Sequence, residues 1–180
     1  MGRSFPRLAC SGNAAALSRF FAGLLATTAV HFLLYCASLV RGGTSMNIET
    51  LRLFINRPEG MPGVLSTSDG QGGVNGAIFG SARLTDEGLL LLGLGENRSL
   101  RNLRRHNRAV LTLFEPGNNP LAWQGARLYL EVSGIEHEGV EFAQLTARIR
   151  QAAGVRAARR IRAAVFFRIT EIRPLIDLSP

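Results

Sequence analysis

Between Gly63 and Glu115 the chain alternates short apolar runs with glycine-bearing turns, a pattern that few folds accept. Gly63 to Ser68 reads as a strand, Asp69-Gly70-Gln71-Gly72-Gly73 as a hairpin loop and Val74 to Leu84 as a second strand. Thr85-Asp86-Glu87-Gly88 turns into a third, fully apolar strand, Leu89 to Leu94. Gly93-Leu94-Gly95 then leads into Asn97-Arg98-Ser99, which opens an arginine-rich helix, Ser99 to Asn107. A fourth strand follows, Ala109 to Glu115. Short antiparallel strands joined by tight turns favour a small closed barrel.

The flanks extend this plan. Asn47 to Arg57 reads as an amphipathic helix capped by Asn47, with Ile48, Leu51, Phe54 and Ile55 on one face. Pro58-Glu59-Gly60-Met61-Pro62 ends it. After a polar turn from Pro116 to Pro120, a fifth strand runs from Leu121 to Ile135, with Leu128, Leu130 and Val132 alternating against Arg127, Tyr129 and Glu131. Glu138 to Ala153 is helical, Gly154 breaks it, a short basic piece follows, and Ala163 to Ile172 is the last strand. The expectation is a mainly β fold with flanking helices: a six-stranded antiparallel barrel over residues 46–180, preceded by a hydrophobic segment over residues 1–45.

Composition narrows the chemistry. The chain has 180 residues, enough for one domain with a real core. It has no lysine, so all 21 basic residues are arginine, the bias of a GC-rich genome. The net charge of +8 is partly an effect of the N-terminus, because residues 1–45 hold four arginines and no acid. The remainder carries 17 arginines against 13 acids, a weak argument for nucleic acid. Arg156, Arg159, Arg160 and Arg162 have no interleaved aromatic residues for base stacking and read as a surface face. Both cysteines, Cys10 and Cys36, precede residue 46, which excludes disulfides and thiol chemistry from the barrel. With only His106 and His137 there, no metal site is expected.

Residues Phe20 to Val40 form a mostly apolar run, about 30 Å long as a helix and enough to cross a bilayer. Arg3, Arg7 and Arg19 precede it, as in an anchor or a cleaved signal. A third reading is that the segment is not translated. Arg41-Gly42-Gly43 can be encoded by a purine-rich ribosome-binding sequence, and Met46 follows at the usual distance for a start. The protein is then cytoplasmic; with the segment retained it is membrane-anchored through residues 20–40.

The tight turn before Arg98 and Ser99 suits a phosphate, since N–H groups point out of a helix start and the guanidinium adds a forked donor. The bland alternative is the start of a solvated helix. Arg101, Arg104, Arg105 and Arg108 read as solvated or ion-paired, and His106 as a residue meeting the helix C-terminal carbonyls. Gly76 reads as a relief of crowding in a strand. No residue stands out as a general acid or base, so no catalytic residue is assigned.

Across Asn47 to Asp177 the chain resembles the FMN-binding split-barrel proteins, the pyridoxamine-5'-phosphate-oxidase-like flavoproteins, and most of all their small single-barrel members. The resemblance rests on the hairpin from Gly63 to Leu84, the Gly-x-Gly-x-Asn-Arg-Ser stretch from Gly93, the run from Asn102 to Val110, and Gln124-Gly125. It implies a homodimer with one FMN in each of two interface clefts. Arg98 and Ser99 would grip the phosphate. Asn75, Gly76, Ala77 and Ile78 would run along the flavin, and Gly93, Leu94 and Gly95 would pass close to it. Trp123 and Gln124 complete the implied set, Trp123 as a cover over the flavin from the partner subunit or as a buried interface aromatic. The implied function is oxidoreduction or electron transfer with a small-molecule or protein partner. The arginine-rich C-terminal substrate site of vitamin B6 phosphate oxidases has no counterpart here. A deazaflavin, and a barrel without cofactor, remain open alternatives.

Overall fold

The computed structural model describes residues 47–57 and 60–176, and the readings of the N-terminal run, the cysteines and the Met46 start fall outside them. The chain runs α1 (Ile48–Ile55), β1 (Gly63–Ser68), β2 (Val74–Phe79), β3 (Arg83–Leu84), β4 (Leu90–Leu94), α2 (Arg98–Arg105), β5 (Arg108–Glu115), β6 (Gln124–Glu136), α3 (Val140–Ala158) and β7 (Ala163–Pro174). All strands pair antiparallel in one sheet, in the order β2-β1-β5-β6-β7-β4-β3.

The link between β2 and β3 bends this sheet into a barrel. The two strands lie at opposite edges of the sheet, yet only Gly80, Ser81 and Ala82 separate them. A flat sheet of this order would be about 29 Å across at ~4.8 Å per strand spacing. The stretch from Phe79 to Arg83 reaches at most about 14 Å. The sheet must therefore curl until its edges approach, leaving a barrel split between β2 and β3.

Here the structure corrects the expected strand count from six to seven. The apolar run from Val74 to Leu84 is not one strand but two, because its first half pairs with β1 and its second with β4. A period-2 pattern cannot report that a strand has changed neighbours. Two further boundaries move. Pro120–Ala122 form a 3₁₀ turn capped by Asn119, so the fifth expected strand starts at Gln124. Gly154 breaks the last helix as expected, its backbone non-helical at φ 84° and ψ 170°, but the basic piece after it is helical again and carries α3 on to Ala158.

The barrel interior is the core. Leu65, Leu111, Leu113, Leu128, Leu130, Leu92, Leu94, Val165 and Phe167 point into it and are buried. α1 adds Leu51, Phe54 and Ile55, and α2 adds Leu100 and Leu103. As expected, Asn47 caps α1, its side chain accepting from the Thr50 N–H at 2.8 Å. Asn56 at the other end satisfies the free edge of β3: its amide donates to the Leu84 carbonyl at 2.8 Å and accepts from the Leu84 N–H at 2.9 Å. α3 covers the outside of β4 and β7, where Leu145, Phe142 and Ile149 pack on Leu91, Ala164 and Phe166. The outside of β2, β1, β5 and β6 has no such cover among the described residues.

Candidate functional site

The uncovered outer face is where the sequence places alternation between buried and exposed positions. On β2 the odd set, Asn75, Ala77 and Phe79, is turned inward and partly buried, while Val74, Gly76 and Ile78 are exposed. Register sets the rows. Ile78 stands beside Val64, Thr112 and Arg127, and Gly76 beside Ser66, Val110 and Tyr129. The open cleft on this face measures about 520 Å³, within the roughly 300–1,000 Å³ of small-ligand sites. Ser66, Ser68, Val74, Arg108, Val110 and Tyr129 contribute to its walls.

The stretch from Asn75 to Ile78 is therefore not a single ligand-facing surface. Gly76 and Ile78 face out, with Ile78 80% exposed on an edge strand. Asn75 and Ala77 face in. Asn75 reaches α2, where its amide donates to Ser99 Oγ at 3.0 Å. One turn on, the buried Asn102 amide donates to Thr67 Oγ1 at 3.1 Å. These two bonds fix α2 against β1 and β2.

At the start of α2 the cap is Asn97, whose side chain accepts from the Leu100 N–H at 3.0 Å. The N–H groups of Arg98 and Ser99 point out of the helix end. Ser99 is buried and Arg98 exposed. No ion pair or hydrogen bond engages the Arg98 side chain among the described residues. Arg104 differs: it pairs with Glu96 at 2.9 Å. His106 is the C-terminal cap of the helix, its backbone N–H donating to the Asn102 carbonyl at 2.7 Å.

Gly93, Leu94 and Gly95 lie elsewhere. A Cβ on Gly93 would stand 3.0 Å from Ile149 and 3.2 Å from Leu145 of α3, and one on Gly95 would stand 2.8 Å from the Arg160 carbonyl oxygen. Leu94 is fully buried in the core. The close approach expected at these glycines is present, but what approaches is this chain's own helix and the segment behind it. Spacing shows that a residue lacks a side chain; it does not show what fills the room.

At the far corner of the outer face, Trp123 stacks on Phe114 with ring centroids 5.6 Å apart and planes at 17°. Trp123 keeps 39% of its surface exposed. Gln124 starts β6 opposite Glu115. The charged group that sequence reasoning passed over is Glu131. It accepts from Arg168 at 2.6 Å and from Asn107 at 3.3 Å. The hydrogen bond from Arg168, with its charge, holds the Glu131 carboxyl below its ordinary range. Alternation along β6 put Glu131 on the outer side, but its partner comes from β7, 37 residues away.

No group of three or more metal-ligating side chains occurs among the described residues. No helix among them is long and apolar enough to cross a membrane.

No protein-family model matches the sequence, and no curated protein matches it. Solved structures do. An FMN-binding protein from Syntrophomonas wolfei subsp. wolfei is 19% identical, with 91% of this chain and 99% of that one covered at a TM-score of 0.59. HutZ, the heme storage protein from Vibrio cholerae, is 16% identical over 74% and 93% of the two chains, with a TM-score of 0.51. An F420 reductase is 18% identical over 68% and 94%, also at 0.51. At these identities the likeness is one of fold. By fold, this protein is a split β-barrel of the kind built by the FMN-binding, pyridoxamine-5'-phosphate-oxidase-like proteins.

Proposed function

We propose that this protein is an FMN-binding flavoprotein that works in electron or hydride transfer as a homodimer. The observation that carries the reading is Arg98. It is an exposed guanidinium without an ionic partner, at the mouth of a helix whose first N–H groups are directed outward, beside a Ser99 already tied to β2. That donor set fits a phosphate monoester. The outer face of the sheet offers what a flat ring needs: exposed Val74 and Ile78 on β2 and the stacked Phe114–Trp123 pair. Gly93, Leu94 and Gly95 are closed off by α3 and the Arg160 segment and take no part in this arrangement.

Bound there, a flavin would supply the hydride or electron chemistry. The chain's own contribution is to bind, to orient and to exclude water. Arg98 and the start of α2 hold the charged end. Ile78 and Trp123 keep the other end dry. The exposed apolar sheet face calls for cover, which a second copy of the chain would supply. The names FMN-binding protein and F420 reductase among the similar structures favour an occupant of this class, with a deazaflavin as the variant to test beside FMN.

One observation favours a second reading, a barrel without cofactor: Gly93, Leu94 and Gly95, expected to pass close to the flavin, are engaged by the chain itself. An absorbance spectrum of the purified protein, with any released cofactor identified by mass, separates the two. An oxidised-flavin spectrum and the mass of FMN support the first. A colourless protein that takes up neither FMN nor a deazaflavin overturns it.

A further inference from the structure

A second cleft is lined by both halves of α3 and the residues just after it, and it shares no lining residue with the cleft on the outer sheet face. Between Glu141 and Glu171 the sequence has no acid, yet it holds seven arginines. Only Arg168 among them is in an ion pair, with Glu131. Six arginines, from Arg148 to Arg162, therefore crowd one helix and its exit without a salt bridge among the described residues, although Glu141 at the start of the helix attracts Arg148. Like charges gathered in this way repel, and a bound anion relieves them.

The kink gives these charges a shape. At Gly154 the backbone takes φ 84°, a conformation that residues with a Cβ rarely adopt, and the chain leaves the helical path for one residue. The turn after it folds back toward the first half of α3 and leaves a groove of about 410 Å³. Phe142, Val155 and Ile161 give the groove apolar walls, and Arg150, Arg159 and Arg162 also line it. Arg162 is held in place, its guanidinium donating to the Arg159 carbonyl at 3.0 Å. Arg150 and Arg159 are exposed and uncommitted.

We propose that this groove binds a small anionic molecule consisting of an oxyanion headgroup on an apolar body. The volume lies in the range of small-ligand sites. The charge is of one sign, and guanidinium forks match an oxyanion better than any other partner. The absence of aromatic residues between the arginines argues against a strand of stacked bases. The proposal stands apart from the flavin reading, since it shares no residue with the outer face or with Arg98.

The test is calorimetric titration of the full-length protein with 1-naphthyl phosphate and with 1-naphthol, which has the same ring and no phosphate. The phosphate ester should bind at least about tenfold more tightly than the alcohol. The double substitution Arg150→Gln with Arg159→Gln should weaken the ester at least about tenfold, leave the alcohol unchanged and leave the melting temperature unchanged, both residues being exposed. Because the ester is itself a phosphate monoester on a flat ring, the titrations are run in an Arg98→Ala background as well, where the loss caused by the double substitution at this groove should persist undiminished, which separates this site from the flavin site. Equal binding of ester and alcohol, or an ester affinity indifferent to the double substitution, overturns the proposal. So does the failure of the ester to bind while a DNA duplex binds with steep salt dependence that the double substitution abolishes, because the arginines would then serve a nucleic acid.

Discussion

Arg98→Ala isolates the phosphate contact from everything else the barrel does. The side chain is exposed and makes no ion pair or hydrogen bond among the described residues, so the fold has little to lose. The unfolding free energy should change by less than about 0.5 kcal/mol. Flavin binding should respond very differently. A charge-assisted hydrogen bond contributes about 1.5–3 kcal/mol, so FMN should bind roughly 10- to 150-fold more weakly. Riboflavin, which lacks the phosphate, should bind wild type and variant alike. The ratio of FMN to riboflavin affinity is thus a double-mutant cycle on the contact, with protein and ligand each truncated once. Arg104→Ala is the internal control, because that guanidinium is already paired with Glu96 at 2.9 Å and should leave the ratio unchanged. Fluorescence quenching of each flavin on titration with protein measures all the affinities. If Arg98→Ala keeps the wild-type ratio, the phosphate is not held at the start of α2.

Other expectations concern the frame. Leu92→Ala empties a fully buried core position and should cost about 2–5 kcal/mol, read as a lower denaturant midpoint with an unchanged slope. Gly125→Ala should be more destabilising than Gly76→Ala. A Cβ at position 125 would overlap the Leu113 carbonyl oxygen in the β5–β6 ladder, whereas one at position 76 meets only a Val64 methyl at 3.7 Å; melting temperatures of the two variants decide this. Glu131 gives a pH test. Its carboxyl is held below the ordinary range by Arg168, so its stabilising contribution is complete above the unfolded-state pKa, about 4.3. That contribution disappears as pH falls through the lower folded value. Glu131→Gln should therefore lower the melting temperature at neutral pH and converge with wild type in acid; a constant gap across the range would refute the assignment.

Strand positions were legible from local pattern: β1 and β5, buried on one face, alternate with a period of two, and β4, buried at every position, reads as a short apolar run, each beginning or ending within a residue of the expected place. Helix starts were legible for a similar local reason: Asn47 and Asn97 each accept a hydrogen bond from the N–H three residues on. The arginine at the mouth of α2 was legible too, as a turn followed by a charged donor.

What closes over each residue was not legible. The run from Val74 to Leu84 carries one continuous apolar pattern, and only the pairing of its halves with opposite sheet edges reveals two strands and a curled sheet. Gly93 and Gly95 satisfy the local rule for close backbone approach, but whether a ligand or the chain itself does the approaching depends on α3 and the segment after it, more than forty residues later in the chain. Local sequence determined propensity, alternation and caps, since those depend on neighbours within a few residues. Which surface is covered, and by what, was decided by contacts between segments far apart in sequence, and those exist only once the barrel has closed.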